Sequence, residues 1–282
     1  MGHTSNVAPF QTGTTMRRAC VAVAMAGDPE VAHVLADIGG RAEMEDEHVL
    51  EVDSVHPLRV LGGIFDGHGG TSVARLAKTR FPSLFREAFA SGPEVAFRAA
   101  YALLQRESLG MAGGAVAVTF WIDGPLVSVA NAGDAHVVAV SGDRATRLTV
   151  EHRITNEVEL KRVVDAGATI WGPYVCLPDG RGIMPTRTLG DHELAKVGVL
   201  SEPAISTHPL EPGFLIAACD GLWDVMEPED LPPLLAGVAS ATAAVDRLAR
   251  EALEVRQTSD NLTVMAVRIP SASTHGSPAR PP

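Results

Sequence analysis

The sequence predicts an α+β fold, and three observations carry that prediction. Short apolar runs follow one another closely between residues 115 and 149, joined by the turn pairs Asp123-Gly124 and Ser141-Gly142. Parallel neighbours need long crossovers, so this spacing reads as an antiparallel meander. Helical patterns come mostly in pairs and do not alternate with strands, which sets the chain apart from doubly wound α/β proteins. Between its two ends the chain has neither a linker long enough to divide it nor an internal repeat, so one domain is expected over residues 19–269.

The elements follow in order. Residues 1–18 read as a frayed tail. A strand is predicted over 58–65, where "LRVLGGIF" is apolar, and it breaks at Asp66-Gly67-His68-Gly69-Gly70. Apolar spacing then predicts helices over 70–90 and 94–109. The meander supplies strands 115–122, 126–132, 135–140 and 144–149. A helix is predicted over 156–167 and a strand over 213–219. Helices over 229–238 and 242–255 and a last strand over 261–269 complete the domain. The end, "PSASTHGSPARPP" over 270–282, is rich in Pro and Ser and reads as a second tail.

Composition removes several classes of function. Hydrophobic residues make up 46% and charged residues 20%, enough apolar content for a core. No apolar run approaches the roughly 20 residues of a membrane span, so no stable membrane insertion is expected. A formal charge of -11 argues against nucleic acid as a partner. The cysteines (Cys20, Cys176, Cys219) are an odd, scattered set, which points to reduced thiols in an intracellular compartment, cytoplasmic or nuclear.

The break after Phe65 poses the functional question. A phosphate loop is a poor match: Gly62 and Gly67 have the spacing, but His68 stands where Lys is needed. A dinucleotide loop fares little better, because Ser72 takes the third glycine's place and Asp66 would aim a carboxylate at the pyrophosphate. A metal site gains from a second stretch, "FLIAACDGLWDV", which repeats the pattern of apolar strand, Asp, Gly at Asp220. Asp260 precedes the final strand. Strand starts and ends share one rim of an antiparallel sheet, so the three acids can converge there. In "GGRAEMEDEH", an extended backbone puts Arg41 and Glu45 on one face and Asp46 on the other. Each feature also has a plain reading. Asp-Gly is a common turn, Arg41 and Glu45 suit an i,i+4 helical ion pair, and His68 suits a turn with no chemistry.

Other hydrolase sites fail residue by residue. Cys176 and Arg181 are spaced Cys-x4-Arg, one short of a cysteine phosphatase loop. "HELAK" has Lys196 where a zinc protease needs its second His. No Gly-x-Ser-x-Gly elbow and no close Cys/His set is present.

Eight stretches, in order from about residue 38 to 269, carry a resemblance. They are "GGRAEMEDEH", "GIFDGHGG", "VANAGDAHVV", "LTVEHRITNEVELKRVVDAGATI", "MPTRTLGD", "SEPAIS", "FLIAACDGLWDV" and "TSDNLTV". The chain resembles the metal-dependent protein phosphatases of type 2C, which act on serine and threonine. The resemblance implies a central sandwich of two antiparallel sheets, a helix pair on each outer face, a metal site at one end and a flap over about 150–185. It implies that Asp66 bridges two metal ions, that the Gly67 carbonyl and Glu45 lie by one, and that Asp220 and Asp260 hold the other. Asp46 is expected to support metal-bound water, Asp134 to serve a third, weaker ion, Arg41 to grip the substrate phosphate, and His68 to protonate the leaving alcohol.

All-oxygen ligands suit Mn²⁺ or Mg²⁺ over Zn²⁺, and such ions would make a phosphate site on an acidic protein. The implied activity is hydrolysis of phosphoserine and phosphothreonine in phosphoprotein substrates by a metal-bridged hydroxide, in a monomer. Two alternatives share the fold: a catalytically silent relative that binds partners, and a phosphoesterase for small molecules. The family pattern is altered at Gly114-Ala115-Val116-Ala117, Gly133-Asp134-Ala135-His136 and Glu151-His152-Arg153-Ile154.

Overall fold

The computed structural model describes residues 31–56 and 58–271, together with the backbone of 19–23. The tails expected over 1–18 and 270–282 lie outside the described residues, apart from Pro270 and Ser271, which join no helix or strand.

In chain order, β1 (Ala19–Val23), β2 (Ala32–Asp37), β3 (Glu47–Val52) and β4 (Arg59–His68) precede the helices α1 (Ser72–Ala88) and α2 (Pro93–Glu107). The strands β5 (Gly114–Asp123), β6 (Leu126–Ala132), β7 (His136–Ser141) and β8 (Arg144–Arg147) follow. Next come α3 (Glu157–Asp165) and the short strands β9 (Thr169–Trp171), β10 (Tyr174–Cys176), β11 (Gly182–Ile183) and β12 (Leu189–Gly190). The chain ends with β13 (Ala204–Pro209), β14 (Gly213–Ala218), α4 (Asp220–Trp223), α5 (Leu231–Leu235), α6 (Ala241–Arg250) and β15 (Leu262–Ile269).

Two large antiparallel sheets form from these strands, one in the order β1-β2-β15-β14-β7-β8 and the other β13-β6-β5-β4-β3, with β12 on β5, and β11-β10-β9 make a small third sheet. The strand period of two sorts their side chains. Along β4, Val60 and Ile64 face the other sheet, where they meet Val137, Leu215 and Met265, while Leu61 and Phe65 face α1 and α2. A strand buried on both faces has no polar side to show, which is why these runs are apolar throughout. The α1–α2 layer is built on aromatic packing: Phe81 and Phe85 lie 5.8 Å apart and Phe85 and Phe97 4.8 Å apart, centroid to centroid. On the opposite outer face, α5 and α6 pack Leu235, Val245 and Leu248 against Leu35, Val138 and Ile216. The fold is the helix-flanked sandwich that the resemblance implied.

Several elements differ from the sequence reading. The predicted meander is two hairpins in different sheets, because the chain crosses the sandwich between β6 and β7, at Gly133 with φ 122°. The break after Phe65 is no turn until Gly69. The ladder with β5 continues through Asp66↔Val116, Gly67↔Ala115 and His68↔Gly114. Residues 38–46 are turns and bends with no extended strand. The helix predicted over 229–238 is a 3₁₀ turn, Pro228–Asp230, followed by the short α5, whose sequence carries two consecutive prolines. The helix predicted over 242–255 ends in a π turn at Glu251–Val255. The strands β1, β2, β3, β9, β10, β11, β12 and β13 had no prediction.

Candidate active site

The alternation along β4 that sends Val60 and Ile64 inward carries on to Asp66, so its carboxylate points between the sheets at their open end. On the facing sheet β14 and β15 are antiparallel neighbours, Ala218 opposite Val264, so the end of one and the start of the other lie on one rim. Asp220 follows the first and Asp260 precedes the second. The three acids therefore meet across two sheets, and not on the rim of one as the sequence suggested. They line a cleft of about 270 Å³ together with Arg41, Glu45, Gly67, His68 and Asp134. Of the nine residues singled out in the sequence, Asp46 alone does not line it. It lies buried, with Oδ2 accepting from Thr263 Oγ1 at 2.7 Å.

The bend over 38–46 is held by Asn261, just before β15. Its Nδ2 donates to the carbonyls of Ile38 (2.9 Å) and Glu43 (3.0 Å), and its Oδ1 accepts from Glu45 N (2.8 Å). Glu45 in turn accepts from Gly70 N at 2.7 Å. Glycine at 67 is required by close approach, since a Cβ there would lie 2.5 Å from the Glu45 carbonyl oxygen. Arg41 is exposed on the rim and donates from Nη2 to Asp260 Oδ2 at 2.5 Å.

The acids repel one another. Burial and then the charges of Asp220, Asp46 and Asp134 push the Asp66 carboxyl well above the usual range. Burial, helped by Asp134, Asp224 and Asp260, raises Asp220 to about 7. Burial likewise raises Asp46 to about 6, against the bond it accepts from Thr263. A cluster in this state needs protons or cations to be stable.

Two observations fit it to hard divalent ions. Apart from His68, whose Nε2 is bonded to Asp191, the candidate donors facing the cleft are oxygens, and Asp46 Oδ1 is buried with no hydrogen-bond partner. Ligand atoms of Asp46, Asp66 and Cys219 also lie within 4.8 Å of one another. Burial holds the Cys219 thiol well above its usual range, however, and its Sγ is engaged with Asn261 O and Thr263 N. Cys219 is therefore a neutral wall of the site. Cys176 is likewise a free, buried thiol.

Four site residues were missed in the sequence: Asp191, Arg153, Asn261 and Asp224. Asp191, at φ 42°, accepts from or shares a proton with His68 Nε2 at 2.6 Å. Burial lowers the His68 pKa, but the hydrogen bond and charge of Asp191 outweigh it, and the net shift is upward. Arg153 reaches Asp134, Asp224 and Asp220. These residues sit inside stretches that were recognised, yet nothing local marks them, because each acts on a partner more than 15 residues away. Two departures from the family pattern meet each other: His136 Nε2 lies 3.8 Å from Glu151 Oε1, and His136 Nδ1 bonds Thr149 Oγ1 at 2.9 Å. On the far side of the cleft, Tyr174, Ile183, Met184 and Pro185 come from β10, β11 and the residues after them.

The fold matches that of a known phosphatase. The family model described as protein phosphatase 2C matches residues 36–262. Probable protein phosphatase 2C 45 of Oryza sativa subsp. japonica is 34% identical over 244 residues, covering 82% of this chain and 84% of its own. Probable protein phosphatase 2C 59 of Arabidopsis thaliana is 32% identical over 250 residues, covering 84% and 79%. Among solved structures, serine-threonine phosphatase 2C from Toxoplasma gondii aligns with a TM-score of 0.71 at 22% identity, covering 89% of this chain and 98% of its own. A sex-determining protein of C. elegans aligns with a TM-score of 0.73 at 24% identity, covering 86% and 65%. This chain belongs to the protein phosphatase 2C family, a family of serine/threonine protein phosphatases. No helix among the described residues is long and apolar enough to cross a membrane.

Proposed function

We propose that the chain is a Mn²⁺- or Mg²⁺-dependent phosphatase acting on phosphoserine and phosphothreonine in proteins. The observation that carries this reading is the convergence of Asp66, Asp220 and Asp260 from two sheets on one cleft that also holds a His–Asp pair. Asp66, Asp220, Asp260, Glu45 and the Gly67 carbonyl would hold two divalent ions, with Asp46 behind Asp66. Bound there, such ions supply positive charge for a phosphate and acidify water near neutral pH.

The remaining work falls to the chain's own side chains. Arg41 is exposed and tied to a single carboxylate, so its guanidinium can turn to donate to two phosphate oxygens. Asp191 fixes the His68 ring through Nε2 and favours its protonated form, so that the imidazolium has, on its other nitrogen, the proton the departing serine or threonine oxygen needs. Thr263 orients Asp46, and Asn261 keeps Arg41 and Glu45 on the same bend.

The test is hydrolysis of a phosphoserine or phosphothreonine peptide by the purified chain with Mn²⁺, with EDTA, and as Asp66→Asn and Asp220→Asn. Activity should require Mn²⁺ and be lost in both variants. Activity that persists in EDTA and in both variants would overturn the two-ion reading.

A further inference from the structure

Arg153 lies where three acids from separate parts of the chain converge. Asp134 comes from the crossing between β6 and β7, Asp220 from the start of α4, and Asp224 from just past its end. Arg153 Nε donates to Asp134 Oδ2 at 2.6 Å, while Nη2 lies 2.9 Å from Asp224 Oδ1 and 3.5 Å from Asp220 Oδ2. The guanidinium is largely shielded, with 19% of the side chain exposed, and Asp134 is almost fully buried. The Arg153 backbone is held in place from its neighbour, since buried His152 packs its Nδ1 against the carbonyl of Gly133, the residue before Asp134. This is a rigid, charged side chain anchored at both ends.

The resemblance assigns Asp134 to a third ion. In this chain that corner does not fit one, because Arg153 already holds the Asp134 oxygen and screens Asp224 and Asp220. A guanidinium and a divalent ion compete for the same lone pairs, and the guanidinium is covalently attached and charged at every working pH. We infer that Arg153 is a built-in substitute for the third cation, so that the chain binds two divalent ions and neutralises the remaining acidic corner with its own side chain. The inference rests on the two-ion reading above.

It makes metal stoichiometry a property of one residue. Mn²⁺ binding to the full chain would be followed by isothermal titration calorimetry and by the loss of free Mn²⁺ signal in electron paramagnetic resonance, with circular dichroism as the check of folding. The wild type should bind two ions, and Asp134→Asn should still bind two. Arg153→Met keeps the length of the side chain and removes its charge, and should bind a third, weaker ion. Adding Asp134→Asn to Arg153→Met should abolish that ion.

Three ions in the wild type, or a fall from two to one in Asp134→Asn, would overturn the inference while leaving the two-ion site standing. A folded Arg153→Met that binds only two would do the same. If Arg153→Met does not fold, the wild-type and Asp134→Asn counts decide. No Mn²⁺ bound by the wild type would overturn the two-ion reading and this inference together.

Discussion

Gly114 offers a way to disturb the chemistry while leaving the backbone alone. It sits at the start of β5 opposite His68, and its φ is not in the left-handed region, so alanine fits the strand. An added Cβ would lie 2.0 Å from Asp191 Oδ2 and 2.8 Å from His68 Nε2. Ordinary contact begins near 3.4 Å, so the Asp191 oxygen must retreat by 3.4 − 2.0, or about 1.4 Å. That displacement parts a pair now 2.6 Å apart.

A hydrogen bond to a charged group contributes about 1.5–3 kcal/mol. At roughly 1.4 kcal/mol per factor of ten, Gly114→Ala should lower kcat on a phosphoserine peptide by roughly 10- to 150-fold. Steady-state kinetics on that peptide and on 4-nitrophenyl phosphate would test it, because nitrophenolate leaves without needing a proton. The aryl substrate should lose little, and the thermal midpoint should hold. Equal losses on both substrates, or an unchanged peptide kcat, would refute the assignment of His68 and Asp191.

Two further predictions concern the supports of the site. Glu159, on α3, is 2% exposed and accepts from Arg162, Arg187 and Thr186 Oγ1, which hold its carboxyl far below the usual range despite burial. Its stabilisation should be full above the ordinary value of 4.5 and fade as pH falls toward the folded value. Glu159→Gln should cost about 3 kcal/mol near neutral pH. That corresponds to a drop of roughly 6–12 °C in Tm for a chain this size. The gap to wild type should narrow in melts run from pH 7 down to pH 3, and a constant gap would count against the ion-pair account. Asn261→Leu removes three hydrogen bonds that hold the 38–46 bend, which together contribute about 2–4 kcal/mol. Amides of that bend should exchange faster with deuterium and KM for the peptide should rise; unchanged exchange would show that the bend is held by something else.

The sequence showed most of what depends on local pattern. Apolar runs ending in Asp-Gly located Asp66 and Asp220, and 3.6-residue spacing located α1, α2, α3 and α6 to within a few residues. What it hid was pairing. Closely spaced strands look alike whether or not the chain changes sheet between them, so the crossing at Gly133 was invisible. β2 is six buried residues whose apolar run is broken by His33 and Asp37, and the short β13 mixes half-buried and exposed residues. The predicted strand stops at Phe65 because Asp-Gly is usually a turn, and only the partner strand carries the ladder past Asp66. Asp191 and Arg153 gained meaning only from acids and a histidine brought to them by the fold.

The crossing between β6 and β7 has a consequence for how the protein acquires its activity. Asp66 and Asp220 are 220 − 66 = 154 positions apart, the first on a strand of one sheet and the second just past β14 of the other, so neither sheet by itself contains the site. Long-range pairing of this kind is slow, because loop-closure entropy must be overcome before the contacts form. Secondary structure can therefore return during refolding while the acids are still apart. Recovery of catalysis, followed against recovery of far-ultraviolet circular dichroism, then becomes a clock for the docking of one sheet on the other.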